Sequence, residues 1–141
     1  MGNMFAFIFF HTHFAKEYFE KNYQGNLHIF IKKRHMSVRA FVDTGNCLYE
    51  PITGQPVCLV EYEAAKRAFY PELMKCQTFP IPYKSIGKDM GILWGVTADK
   101  VIFQNQWRKI IKSGCVIAFY DRKITKSGDY SAIVHPDILE K

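Results

Sequence analysis

Residues 27–48 read LHIFIKKRHMSVRAFVDTGNCL, two apolar-patterned runs on either side of a basic cluster. Leu27, Ile29 and Ile31 recur at every second position, as do Val38, Ala40 and Val42 further on. That period of two belongs to strands with one buried face. RHMS between the two runs is expected to turn, which places the basic cluster IKKRH at the bend of a β-hairpin. The second strand then runs into Asp43, Thr44 and Gly45. An apolar strand that ends on a carboxylate either opens a turn there or carries chemistry.

The tripeptide alone does not decide, because Asp, Thr and Gly are all common turn residues. Its setting says more. An acid protease needs a carboxylate on a short loop directly after a buried strand, with a second carboxylate facing it. Two carboxylates that close share one proton and titrate as a pair. The ionised one takes a proton from water as it attacks a peptide carbonyl, and the protonated one donates to the carbonyl oxygen. Thr44 is placed to hydrogen-bond between two such loops, and Gly45 lets the backbone pass without a side chain in the way. None of Asp89, Asp99, Asp121, Asp129 and Asp137 is followed by Thr-Gly or Ser-Gly. One chain therefore carries half an active site, and Asp43 has to meet Asp43 of a second copy across a two-fold axis.

The rest of the chain fits one globular domain. It has 141 residues, 48% of them apolar, with twelve Phe, eight Tyr and two Trp, which is enough to build a core. The net charge of +6 suits an acidic partner, a nucleic acid or an anionic membrane. The basic residues are scattered, however, and no nucleic-acid role is expected. Cys47, Cys58, Cys76 and Cys115 form no C-x-x-C pair, so reduced thiols are expected, with no metal and no cofactor. Cys47 is read as a buried thiol, since nothing points to His28, His35 or His135 as its base. His135 is expected to cap or anchor the final turn. His11 and His13 are read as solvent-exposed.

The run from Met4 to Phe10 is far shorter than the roughly 20 residues of a membrane span. Residues 1–25 are taken as a linker or the remnant of a membrane-proximal segment, helical over 11–22, and residues 26–141 as the functional domain. Further strands are expected at VCLV, FPIPY, a segment through Val101–Phe103, a segment after Gly114, and one before Pro136. A helix is expected at residues 61–69, closed by Pro71. The glycine-punctuated segment from Ser85 to Gly95 reads equally as a flap over substrate or as an ordinary hairpin. Trp94 reads as groove lining or as core.

LHIFIKKRHMSVRAFVDTGNCL resembles the entry hairpin and active-site loop of retroviral-type aspartic proteases. FVDTGNCLYEPITGQPVCLVE, IPYKSIGKDMGILWGVTADKVIF and GDYSAIVHPDIL together resemble the protease half of the sporulation sigma-factor-processing peptidases. The resemblance covers residues 26–140. It implies a mainly β, retropepsin-like acid-protease β-barrel with a few short helices. Asp43 would be catalytic and Thr44 and Gly45 would complete its loop. It also implies a homodimer, a pro-sigma factor as substrate, a signalling protein from the forespore, and a membrane half outside this chain. The implied location is the cytoplasmic face of the membrane on the mother-cell side of the sporulation septum. The apolar-apolar-Gly element that retroviral-type enzymes pack behind the loop has no assigned position here: VIFQNQW lacks the glycine and ILWG lies early. The rival reading is a non-catalytic, basic β-rich binding or scaffolding module at the membrane.

Overall fold

The computed structural model describes residues 23–46, 48–84 and 90–140. The expected helix at 11–22, His11, His13, the run Met4–Phe10, Cys47 and Asp89 lie outside the described residues. The protein is mainly β. Among the described residues nine strands form one sheet: β1 (Gln24–Ile31), β2 (Arg34–Val42), β3 (Val57–Glu61), β4 (Phe79–Lys84), β5 (Met90–Thr97), β6 (Lys100–Gln104), β7 (Lys109–Ser113), β8 (Val116–Tyr120) and β9 (Ala132–Val134). Their order across the sheet is β4-β5-β8-β3-β9-β2-β1-β6-β7.

The hairpin of β1 and β2 forms with the expected faces, but its bend is not at RHMS. Ile31 pairs with Arg34, so the bend is the two residues Lys32 and Lys33, and Arg34–Ser37 belong to β2. A two-residue bend needs a positive φ, and Lys32 supplies it at 55° without being glycine. Strand β7 is an addition to the expected elements. KIIKS places lysines on both faces, so it shows no alternation to read.

The central strands are buried on both sides, which makes VCLV a continuous apolar run rather than an alternating one. Cys58 and Val60 face one apolar cluster, shared with Leu27, Ile29, Ala40 and Val42. Val57 and Leu59 face the other, with Phe41, Leu48 and Ile133. Helix α1 (Tyr62–Phe69) covers the first cluster by burying Ala65 and Phe69, one turn apart on one face. It stops before Pro71, as expected.

Two parallel pairings decide where the chain delivers its loop. β3 runs parallel to β8, and β2 runs parallel to β9 in the register Ala40↔Ala132, Phe41↔Ile133, Val42↔Val134. The end of β2 is thereby fixed against the last strand of the chain.

Candidate active site

Asp43 is the first residue beyond β2. Its amide donates to the Val134 carbonyl at 3.2 Å, adding one more bond to the β2–β9 ladder. The chain then turns sharply. The Gly45 amide donates to Asp43 Oδ1 at 2.9 Å, and the Asn46 amide donates to the Asp43 carbonyl at 2.9 Å. Asp43 thus does open a turn, in the manner of an Asx-turn. It is unlike an ordinary turn opener in being only 8% exposed. Burial pushes its carboxyl up to about 6, against the smaller downward pull of the Gly45 N–H. Thr44 and Gly45 stand exposed at the tip of the loop.

The segment after the tip is held from both sides. Asn46 is buried; its Oδ1 accepts from the Leu48 amide at 2.8 Å and its Nδ2 donates to the Val57 carbonyl at 3.3 Å. That ties the loop to the start of β3. The Glu50 carboxylate accepts from the amides of Ile52 and Thr53 and from the Thr53 hydroxyl, closing the turn before β3. These hydrogen bonds, the Thr53 hydroxyl first, hold the Glu50 carboxyl below the usual range.

A second clamp joins the loop to the end of the chain. The Tyr49 hydroxyl donates to Asp137 Oδ2 at 2.7 Å, and the Tyr49 ring meets the His135 ring edge-on at 4.7 Å. His135 caps the final 3-10 turn (Pro136–Leu139), its Nδ1 accepting from the Asp137 amide at 3.1 Å, as the sequence suggested. With Nδ1 accepting, the proton of the neutral ring sits on Nε2, a buried atom without a hydrogen-bond partner among the described residues. Burial pulls this imidazole down to about 4. Sequence reasoning missed Asn46, Tyr49, Glu50 and Asp137 as a framework. Their signal was the run N-x-L-Y-E directly after the tripeptide and HPD near the end, which reads as a motif before it reads as contacts.

The strand packed beside the loop is β9, Ala132–Val134, and the residue that follows it is His135 rather than glycine. Of the glycine-punctuated segment, residues 85–89 lie outside the described ones; the flanks are β4 and β5, paired Phe79↔Gly95 through Lys84↔Met90. Ile81 and Leu93 in that hairpin share an apolar cluster with Phe41 and Leu48, which flank the candidate loop. Trp94 is 53% exposed and is not core. It lines a groove of about 380 Å³ with Tyr62, Tyr83, Ile92 and Phe119. No residue of the Asp43 loop lines that groove, so the structure does not bring Trp94 and Asp43 together.

Cys58 and Cys115 are buried free thiols, pushed up to about 12 and about 11 by desolvation, and Cys76 is a half-buried free thiol. His28 and His35 meet on the outside of the hairpin at 3.3 Å, with no third metal-ligating side chain grouped with them among the described residues. No helix among the described residues is long and apolar enough to cross a membrane.

Fold and site define a mainly β domain with one desolvated aspartate on a loop fixed between two parallel strands. Comparison with known proteins gives the family. The Peptidase_U4 model, described as sporulation factor SpoIIGA, matches residues 1–138, and the chain belongs to that family. A Bacillus thuringiensis subsp. kurstaki relative named for sporulation sigma factor processing is 21% identical, over 77% of this chain and 80% of its own length. The sporulation sigma-E factor-processing peptidase of Bacillus subtilis (strain 168) is 26% identical over 74% of this chain and 40% of its own. That of Priestia megaterium is 23% identical over 81% and 43%. The chain thus spans about two fifths of the length of the latter two relatives. No solved structure matches the chain.

Proposed function

We propose that the chain is the retropepsin-like catalytic domain of an aspartic endopeptidase that removes the pro-sequence from a sporulation sigma factor. The observation that carries this reading is the burial of Asp43 at a strand end, where the only hydrogen bond to its carboxylate among the described residues comes from the Gly45 amide. Membership of a peptidase family and the names of the relatives support it.

The chemistry needs two chains. No second carboxyl acts on Asp43 among the described residues, and the sequence has one Asp-Thr-Gly. Asp43 of one protomer and Asp43 of its partner share a proton across the two-fold axis. The ionised carboxylate takes a proton from the water that attacks the scissile carbonyl, and the protonated carboxyl donates to the carbonyl oxygen. No covalent intermediate forms. Thr44 and Gly45, exposed at the tip, are the residues offered to the second loop. In the cell the domain works at the mother-cell face of the septal membrane, under control of a forespore signalling protein.

Co-expression of parent and Asp43→Asn chains at equal levels tests the dyad. Random pairing leaves about a quarter of dimers with two aspartates, so processing falls to about a quarter of the level given by parent alone at the same total protein. A fall only to half means that each chain works by itself and contradicts the shared dyad.

A further inference from the structure

The sheet face turned away from the α1 side over β2, β1, β6 and β7 has a one-signed charge pattern. Phe30 points outward between His35 on β2 and Lys100 on β6. Two residues along, His28 lies between Ser37 and Ile102, and Ile102 pairs with Ile111 of β7. At the far end Asn26 lies between Arg39 and Gln104, and Gln104 pairs with Lys109. None of these outward positions is an aspartate or a glutamate.

Among the described residues no ion pair neutralises the cations on this face. The ion pairs among the described residues are Arg34 with Glu72 and Lys66 with Glu63, so Arg39, Lys100 and Lys109 take part in none. Lys100 lies over the Phe30 ring at 4.6 Å instead. Such a face meets an anionic partner with complementary charge and repels a second copy of itself.

The edge narrows the kind of partner. Strand β7 is the last in the sheet and pairs only with β6 among the described residues. No sheet partner lies on the outer side of β7 among the described residues, so a further strand can add there, which neither a lipid headgroup nor a nucleotide can do in register. Ile111, 54% exposed, stands mid-strand, and Trp107, 52% exposed, stands in the turn that enters it. They offer apolar contacts between the charges.

We infer that the β7 edge and the cationic face beside it dock an extended, acidic and partly apolar polypeptide segment of a partner protein by strand addition. The segment's acidic side chains meet Lys109 and Lys100, and its apolar ones meet Ile111. The site is separate from Asp43 and does not depend on the proposed chemistry.

The test uses the 141-residue chain and a fluorescent peptide alternating glutamate with valine or threonine. Anisotropy gives affinity and amide hydrogen exchange locates the contact. Saturable binding is expected, weakened about tenfold in the Lys100→Gln/Lys109→Gln variant, with slowed exchange at Lys109–Ser113. The Asp43→Asn chain binds the peptide as the parent does. Both lysine positions are outward-facing, and an unchanged melting temperature verifies that the double variant is folded. Absence of saturable binding, binding indifferent to the double variant, or no protection in β7 overturns the inference. So does tighter binding of phosphatidylglycerol vesicles or of a single-stranded oligonucleotide to the same face, since each needs the charges and not the edge.

Discussion

The Asp43 amide donates to the Val134 carbonyl at 3.2 Å, so the loop that bears the carboxyl hangs on the last strand of the chain. Residues far apart in sequence thereby share one rung, and the position of Asp43 depends on how the chain ends. The Tyr49–Asp137 hydrogen bond repeats the link on the far side of the loop.

Asp43 is predicted to cost stability at neutral pH. Its folded carboxyl is raised from 3.8 to about 6, so the folded state holds the proton more tightly than the unfolded one. The sign follows: below 3.8 both states are protonated and nothing is lost, and the cost grows as pH rises to about 6 and is full above it. Its size is about 3 kcal/mol. Asp43→Asn is expected to melt higher than the parent at pH 8 and at the same temperature near pH 3, by calorimetry. A variant that melts lower at pH 8 contradicts the desolvated carboxyl.

His135 carries the opposite slope. Its imidazole falls from 6.5 to about 4 on folding, so its contribution is whole above 6.5 and is lost as pH falls through 4, about 3 kcal/mol in all. His135→Asn keeps a side chain that can cap the final turn and removes the titration. Denaturant melts of this variant are expected to be lower at pH 7 because of the cavity, by about 1–3 kcal/mol. Between pH 6.5 and 4 its profile is expected to be flatter than the parent's.

Asn46→Ala removes a side chain that serves one donor and one acceptor in a buried place. Loss of about 1–3 kcal/mol is expected, because the Leu48 amide and Val57 carbonyl are left without it. Asn46→Asp, which keeps the acceptor and loses the donor, should be intermediate at low pH and worse at high pH. Urea titrations of both variants check the order.

Gly45→Ala separates folding from function. A Cβ at this position would stand 3.5 Å from Asp43 Oδ1, an ordinary contact. The variant is expected to melt within about 1 kcal/mol of the parent. Processing is expected to be lost in a chain that remains folded, because the added methyl stands beside the Asp43 carboxyl and at the exposed tip of the loop; unchanged processing contradicts that placement.

The thiols should sort by burial. Cys76 is expected to react with an alkylating reagent at pH 8 well before Cys58 or Cys115, whose thiols are raised by desolvation. Mass spectrometry of peptides after timed quenching reads the sequence of labelling.

The hairpin was legible because Leu27, Ile29 and Ile31 alternate cleanly, and VCLV was legible because both its faces are buried. Its bend was not, since a lysine at φ 55° looks like any other lysine in sequence. Strand β7 was hidden by lysines on both faces, which an edge strand tolerates and a central strand does not. Asp43 could be singled out as a candidate from three residues and the strand before them, and its burial was legible from that strand. Asn46, Tyr49 and Glu50 could not be given roles, because their partners at Val57, Asp137 and Thr53 are set by the return of the chain rather than by local spacing.

The most direct test of the central claim is processing of a co-expressed pro-sigma factor, followed by blot, with the full-length gene product and with its Asp43→Asn variant. Cleavage by the parent and none by the variant, while the variant still expresses as a folded dimer, is the predicted result. Equal cleavage by both would reduce Asp43 to a turn residue and contradict the assignment of an aspartic peptidase.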